Sequence, residues 1–138
     1  HSFPTRRASD LLLRAFDGMP EPHKPALSSP LNERVYELRS YESPTEEFGR
    51  NKIGMFNDRE MQIFTHLNFN AVFYGQVLAG SHMPNLMYLT TFNNKADRDK
   101  HWTDFGVEYK PVSQMPQYQH NISKNVTLFV RPAAYSDF

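Results

Sequence analysis

A run of seven residues that begins at Leu86, Leu-Met-Tyr-Leu-Thr-Thr-Phe, most restricts the folds open to this chain. The residue types favour a β-strand, whose side chains point alternately to its two sides. Leu86, Tyr88 and Phe92 therefore share one side, and Met87 and Leu89 share the other. A strand that is apolar on both sides is covered on both sides. Because helices can cover only one face in a chain of 138 residues, we expect another domain to supply a second sheet for the other face.

The order of the predicted elements indicates an α+β fold. Strands are predicted at residues 33–41, 71–79, 86–92 and 126–131, with helices at residues 43–67 and from residue 94 onward. This β-α-β-β-α-β order is that of the ferredoxin-like fold, a four-stranded antiparallel sheet with two helices on one face.

Capping signals mark where both helices begin. Ser43, Pro44 and Glu46 form a capping box that predicts the start of the first helix, and Asn94 with Asp97 predicts the start of the second. Apolar residues recur at helical spacing in the first helix, and Glu60 falls on the same stripe, where a stripe-edge position is favoured over a general base. In the second helix Arg98, Trp102, Phe105 and Tyr109 share a face, and Pro111 is expected to end or kink it.

The first third of the chain is organised differently. Residues 1–10 are predicted to be a disordered tail or a stretch foreign to the native protein, residues 11–17 a short strand, and residues 18–32 an extended proline-rich linker. The domain proper occupies residues 33–138. Leu-Leu-Leu-Arg at residues 11–14 resembles Leu-Phe-Val-Arg at residues 128–131, the last predicted strand. We therefore expect residues 11–17 to be the last strand of a preceding copy of the same domain.

Composition excludes several classes of protein. The chain has 11 Phe, 7 Tyr and 1 Trp, as expected of a folded domain. Its 15 basic and 15 acidic residues balance, so we expect neither a nucleic acid nor a membrane surface as partner. It has no cysteine, which excludes disulfides and thiolate chemistry, and no apolar run as long as a membrane span.

One face of the first strand carries polar residues that could line a ligand pocket. Glu37, Arg39 and Tyr41 share that face, opposite Leu38. If Leu38 packs under the helices, these three residues face away from them, and Arg39 could anchor an anionic ligand. The alternative interpretation is an internal ion pair or a contact between sheets, because structural ion pairs imitate functional clusters.

Further candidates for the pocket are Tyr88 on the neighbouring strand and Arg98, His101 and Trp102 on the second helix. Arg98 could bind a carboxylate, or it could stack on Trp102 or pair with an acid in a structural role. The six histidines lack metal-binding spacing, so no metal site and no cofactor is predicted.

Two sequence blocks carry a family resemblance. Residues 36–41, Tyr-Glu-Leu-Arg-Ser-Tyr, and residues 85–92 with the following helix start through Trp102 resemble the NIPSNAP family, over roughly residues 33–138. The chain departs from the family near Tyr109, where members often have Trp after an acidic-Pro pair and this chain has Gly106-Val107-Glu108.

The resemblance implies a half of a dimeric α+β barrel, in which two sheets close face to face. The second sheet would come from a homodimeric partner or from a tandem upstream copy. The resemblance also implies a bacterial, secreted or periplasmic parent protein in which this is the second domain.

Three functions stay open at this point. The domain could pair into a barrel that encloses a small apolar or carboxylate-bearing ligand. It could be an enzyme of the monooxygenase or haem-handling type found in the wider superfamily, with His101 as a haem ligand. It could also be a purely structural half-barrel. The sequence identifies no catalytic residue.

Overall fold

The structure, a computed structural model, describes residues 10–138, so residues 1–9 of the predicted tail lie outside it. The described chain forms one five-stranded antiparallel sheet with helices against one face. The strands are β1 (Leu12–Ala15), β2 (Val35–Glu42), β3 (Phe73–Ala79), β4 (Asn85–Phe92) and β5 (Lys124–Val130). The helices are α1 (Glu46–Met55), α2 (Met61–His66) and α3 (Lys95–Ser113).

The strand order is β1-β3-β4-β2-β5. The last four of these strands have the ferredoxin-like order, which confirms the predicted fold class. The strand count differs from the prediction, because β1 joins the same sheet. It pairs antiparallel with β3 through Leu13 opposite Val77 and Arg14 opposite Gln76. That β1 originates from a preceding domain stays a prediction.

The first helical region runs from Glu46 to His66, so it is slightly shorter and less regular than the helix predicted at residues 43–67. Its N-cap is Thr45, whose hydroxyl accepts a hydrogen bond from Phe48 N at 3.2 Å. The predicted cap at Ser43 is therefore wrong: this side chain is buried and donates to the Asn121 carbonyl at 2.8 Å. A π-helical turn, Phe56–Glu60, joins α1 to α2. The extra residue in such a turn rotates the stripe of apolar residues that follows it.

Helix α3 begins as predicted and ends later. The Asn94 side chain accepts from Asp97 N at 2.9 Å, and the Asp97 carboxylate accepts from Asn93 N at 3.0 Å. Pro111 does not end the helix, which continues to Ser113. No helix of the described chain has the length and apolar character needed to cross a membrane.

Aromatic rings fill the space between the sheet and the helices. Phe56 and Phe64 lie against Tyr74 and Tyr88 of the sheet, with ring centroids 5.2 to 6.2 Å apart. Phe64 also stacks on Phe105 of α3 at 4.6 Å. The aromatic content of the sequence is therefore used in one continuous core.

The proline-rich segment between β1 and β2 contains no helix or strand and is attached to the domain along its length. His23 N donates to the Val72 carbonyl at 2.9 Å, and Ala26 N donates to the Asn70 side chain at 3.2 Å. Asn93 accepts from Ser28 N and Ser29 N, each at 3.0 Å. This segment is thus a strap held by two asparagine side chains rather than a free spacer.

The two faces of β2 are oriented opposite to the arrangement considered from sequence. Glu37 and Arg39 contact Trp102 of α3, so they lie on the helix-covered face with Tyr41. Leu38 consequently points to the other side. The assumption that Leu38 packs under the helices is therefore wrong. Glu37, Arg39 and Tyr41 can lie in the interior instead, because hydrogen bonds from Arg39 join the three polar side chains.

The side of the sheet without helices is called the open face below. Strand register places on it the apolar side chains Leu13, Tyr36, Leu38, Phe73, Val77, Met87, Leu89, Val126, Leu128 and Val130. Along β5 this face is exposed: Val126 is 37%, Leu128 53% and Val130 41% accessible.

Candidate functional site

A buried carboxylate is at the centre of the residues singled out in the sequence. Glu37 is inaccessible to solvent, at 0% exposure. Its carboxylate accepts two hydrogen bonds from Arg39, at 3.0 and 2.8 Å, and two from Arg98, at 2.9 and 2.8 Å. The indole Nε1 of Trp102 donates a fifth at 2.7 Å. Both carboxylate oxygens are therefore fully engaged.

Arg39 connects this carboxylate to two phenols. Its guanidinium lies 3.7 Å from the centre of the Trp102 ring and donates to the Tyr41 hydroxyl at 3.1 Å. The Tyr41 and Tyr88 hydroxyls are 2.7 Å apart. Arg39 is thus held by an ion pair, an aromatic face and a phenol together.

Local structure explains why these residues meet. Glu37 and Arg39 are two positions apart on β2, so both point to the same face. Arg98 and Trp102 are four positions apart on α3 and lie one above the other on the helix. The cluster therefore fixes one face of α3 over the centre of β2.

The ionisation states follow from these contacts. Burial opposes ionisation of Glu37, but hydrogen bonds from Arg98, the charge of Arg39 and the hydrogen bond from Trp102 outweigh it, so the pKa of the carboxyl lies below its ordinary value. Burial raises the pKa of the Tyr41 and Tyr88 phenols, which keeps both hydroxyls protonated at neutral pH.

Charges balance within the cluster. Arg98 also contacts Asp99, with Nη1 3.1 Å from the carboxylate. Two guanidinium groups thus face two carboxylates. A carboxylate this heavily hydrogen-bonded is a poor proton acceptor, and neither arginine has a charge left uncompensated, so the geometry is that of a structural clamp.

The structure brings together six of the seven predicted pocket residues, Glu37, Arg39, Tyr41, Tyr88, Arg98 and Trp102. His101 is apart from them. Its Nδ1 lies 2.7 Å from the Asp97 carbonyl, and its ring packs edge-on against Phe69 and Phe92, each at 5.5 Å. Participation of these residues in ligand binding stays a prediction.

A second buried ion pair was not anticipated from sequence. The Lys52 ammonium donates to the Glu60 carboxylate beneath α1 and lies 3.3 Å from the Tyr109 hydroxyl. Burial raises the pKa of Glu60, and the Lys52 charge offsets this only in part. The sequence spacing of the two residues could have predicted this pair. They are eight positions apart, about two helical turns, which places Lys52 on the same apolar stripe as Glu60.

Two cavities lie away from the predicted pocket residues. A cavity of about 180 Å³ lies between α1 and the β3–β4 hairpin, lined by Ile53, Met83 and Leu86 among others. Another of about 220 Å³ lies under the strap, beside Met19, His23 and Asn70. Neither cavity is lined by the Glu37 cluster, which consists of Glu37, Arg39, Tyr41, Tyr88, Arg98 and Trp102. Within residues 10–138 no three histidine or acidic side chains converge as metal ligands would.

Comparison with known proteins identifies the family. The NIPSNAP family model matches residues 36–137, which is most of the chain. The chain belongs to the NIPSNAP family. This confirms the resemblance drawn from the two sequence blocks, and the matched region covers every strand of the sheet except β1 and the first residue of β2.

Solved NIPSNAP structures share the fold. A NIPSNAP family protein of unknown function from Agrobacterium tumefaciens superposes with a TM-score of 0.66 at 18% identity, over 79% of this chain and 96% of that one. A second protein of the family from the same organism gives 0.65 at 12%, over 75% and 90%. An uncharacterised NIPSNAP-like protein from Burkholderia xenovorans gives 0.57 at 14%, over 75% and 89%. Comparison with curated proteins gives no match.

Proposed function

We propose that this NIPSNAP domain is a pairing module, whose open face packs against the same face of a second domain of its kind to close an α+β barrel. One observation carries the proposal: apolar side chains predominate on the open face, and β5 exposes Val126, Leu128 and Val130 there. The polar side chains on that face are Ser40, Glu42, Asn85, Thr91 and Lys124. A contiguous exposed apolar surface of this kind is characteristic of an interaction site.

The opposite face of the sheet supports this assignment by contrast. It is covered by helices and is fixed by the Glu37 cluster, with no charge left for a partner. The open face has no such cover from α1, α2 or α3. A second sheet is the matching partner, because sheets pack face to face through alternating side chains of this type.

Oligomeric state measured by size-exclusion chromatography with light scattering tests the pairing. The chain is expected to be a dimer at micromolar concentrations, and Leu128→Glu is expected to convert it to a folded monomer, since Leu128 is already half-exposed within one chain. Val107→Glu is the matched control, because Val107 is 74% exposed on α3. A wild-type monomer across the whole concentration range would overturn the proposal.

We further propose that the space between the two open faces holds a small apolar ligand. The side chains that would line it at the centre of the sheet are aliphatic or thioether, Leu38, Met87 and Leu89. A carboxylate-bearing ligand fits less well, because the arginines of the domain's cluster lie on the opposite face of the sheet.

Calorimetric titration with decanol and with decanoate tests the ligand proposal. The wild-type dimer should bind decanol in preference to decanoate, and the Leu128→Glu monomer should bind neither. Preference for decanoate that is lost in Arg39→Ala would instead restore the anionic-ligand interpretation. Binding of neither probe by the dimer would leave pairing alone as the function.

A further inference from the structure

We infer that the cavity under the strap is a binding site for a small aromatic carboxylate. The strap forms one wall of this cavity, α2 forms the second, and the turn between α2 and β3 forms the third. The cavity lies on the helix-covered side of the sheet, since Phe64 and Tyr74 of the aromatic core line it. It is therefore separate from the open face and from the pairing proposed for that face.

The strap is held in a fixed shape over the cavity. Gly18 N donates to an asparagine side chain in the π-helical turn at 3.1 Å, and His23 N donates to the Val72 carbonyl at 2.9 Å. Pro20 and Pro22 lie between these two attachments, and each ring fixes the backbone dihedral φ of its residue. A ligand would not have to order this wall when it binds, which favours affinity.

The floor of the cavity has the size and character of an aromatic-ring site. Phe64 and Tyr74 are 1% and 2% exposed, and the thioether-bearing Met19 belongs to the same lining. A cavity of roughly 150 Å³ holds one benzene molecule in a protein interior. The volume under the strap, about 220 Å³, therefore matches one six-membered ring with a short substituent.

The charge of the lining favours a negative group on that substituent. Among the described residues that line the cavity, Lys24 alone carries a full charge at neutral pH, and none is acidic. Lys52, Lys95 and Lys100 each pair with a carboxylate, whereas Lys24 forms no salt bridge within residues 10–138. An uncompensated ammonium beside an aromatic floor fits a carboxylate attached to a ring.

Tyr74 adds a hydrogen-bond donor to this charge. Its hydroxyl bonds to no other residue of the described chain, whereas the buried Tyr41 and Tyr88 hydroxyls lie 2.7 Å from each other. Burial raises the pKa of the Tyr74 phenol, so the hydroxyl keeps its proton and can donate a hydrogen bond to a carboxylate oxygen. A buried donor without a partner is costly, and a bound carboxylate would satisfy it.

NMR titration tests the inference, with phenylacetate as the probe and phenylacetamide as its neutral counterpart of the same shape. Phenylacetate should shift the backbone amide signals of residues 18–26 and 65–71, with a Kd on the order of 0.1–1 mM for a ligand of this size. Phenylacetamide should bind about fivefold more weakly, because it lacks the charge. No shifts in these two segments at about 10 mM phenylacetate would overturn the inference.

Substitution of Lys24 tests the recognition of charge. Lys24→Gln should weaken phenylacetate binding about fivefold and leave phenylacetamide binding unchanged, because it removes the ammonium alone. Lys110→Gln is the matched control, since it removes the same charge from an exposed position on α3. Equal phenylacetate Kd values in the wild type and Lys24→Gln would overturn the inference, and this test holds even if a core variant fails to fold.

Substitution of Tyr74 tests the donor at the floor. Tyr74→Phe keeps the ring and should weaken phenylacetate binding about threefold to tenfold. Tyr135→Phe is the matched control, because Tyr135 is 91% exposed. An unchanged Kd in a folded Tyr74→Phe variant would overturn the role of the hydroxyl.

Leu128→Glu separates this site from the open face. The Kd for phenylacetate should be the same in this variant as in the wild type, because the cavity lies on the other side of the sheet. Failure of the pairing proposal would therefore leave this result intact. Loss of phenylacetate binding in Leu128→Glu would place the ligand between the open faces and would overturn the inference.

Discussion

Glu37 is the residue whose environment most determines the interior of this domain. It accepts five hydrogen bonds from Arg39, Arg98 and Trp102 and has no surface exposed to solvent. Substitution Glu37→Gln leaves two guanidinium groups facing a neutral amide. We expect a loss of about 3–5 kcal/mol in the free energy of unfolding, measured by urea denaturation. A loss below about 1 kcal/mol would show that the negative charge of Glu37 is not needed to hold the two guanidinium groups in place.

The same residue predicts a pH dependence. The pKa of Glu37 is lowered in the folded state, so the stability that it contributes is present above the pKa of the unfolded chain and is lost as pH falls through the lower, folded value. Wild-type stability should therefore decline as pH falls below about 4.5. As pH falls from about 6 to about 3, the urea midpoint should decline less steeply for Glu37→Gln than for the wild type, and equal slopes would contradict this.

Single and double substitutions of Lys52 and Glu60 can separate the effect of their charges on stability from the effect of their packing. Removal of one partner, as in Lys52→Met, leaves a buried unpaired charge and should cost about 3–5 kcal/mol. The double variant Lys52→Met/Glu60→Met removes both charges while keeping similar volume, and its stability should lie within about 1–2 kcal/mol of wild type. Additive losses in urea denaturation would show that the pair contributes through packing and not through charge.

Residue types predicted part of this site. The alternation of Glu37 and Arg39 indicated a shared face, and an internal ion pair was one of the two interpretations considered. The sequence could not distinguish the face, because Leu38 on the other side of the strand is equally suited to a core. The convergence of Arg98 on Glu37 depends on the rotation of α3 over the sheet, a tertiary property that helical spacing leaves undetermined.

Among the elements, β1 makes the most specific prediction. Gly75→Val should displace β1 from β3, because the added side chain would occupy the space of Leu13. Amide hydrogen exchange in Leu12–Ala15 is expected to accelerate at least tenfold, with exchange in β2 and β4 unchanged. Leu13→Ala should restore part of the protection. If β1 stays protected in Gly75→Val, the fit between Gly75 and Leu13 does not hold the strand in place.

The elements themselves were largely predictable, since apolar alternation and capping residues act locally. The boundaries that were missed depend on distant partners. Ser43 has a cap residue's side chain, yet the carbonyl of Asn121 takes its hydroxyl, so Thr45 caps α1 instead. The pairing of β1 with β3 joins residues 60 to 67 positions apart, for which no local pattern exists.

For the whole molecule, proposed pairing makes thermal stability depend on concentration. Only the folded chain dimerises. A hundredfold rise in protein concentration should therefore stabilise each wild-type chain by about 1–3 kcal/mol and raise its Tm by about 3–10 °C. In Leu128→Glu the Tm should not change with concentration, because the open face no longer pairs. In Val107→Glu the wild-type dependence should persist, since that side chain lies on α3. A concentration-independent Tm in the wild type, with an unchanged enthalpy of unfolding, would mean that the open face tolerates water in the native protein.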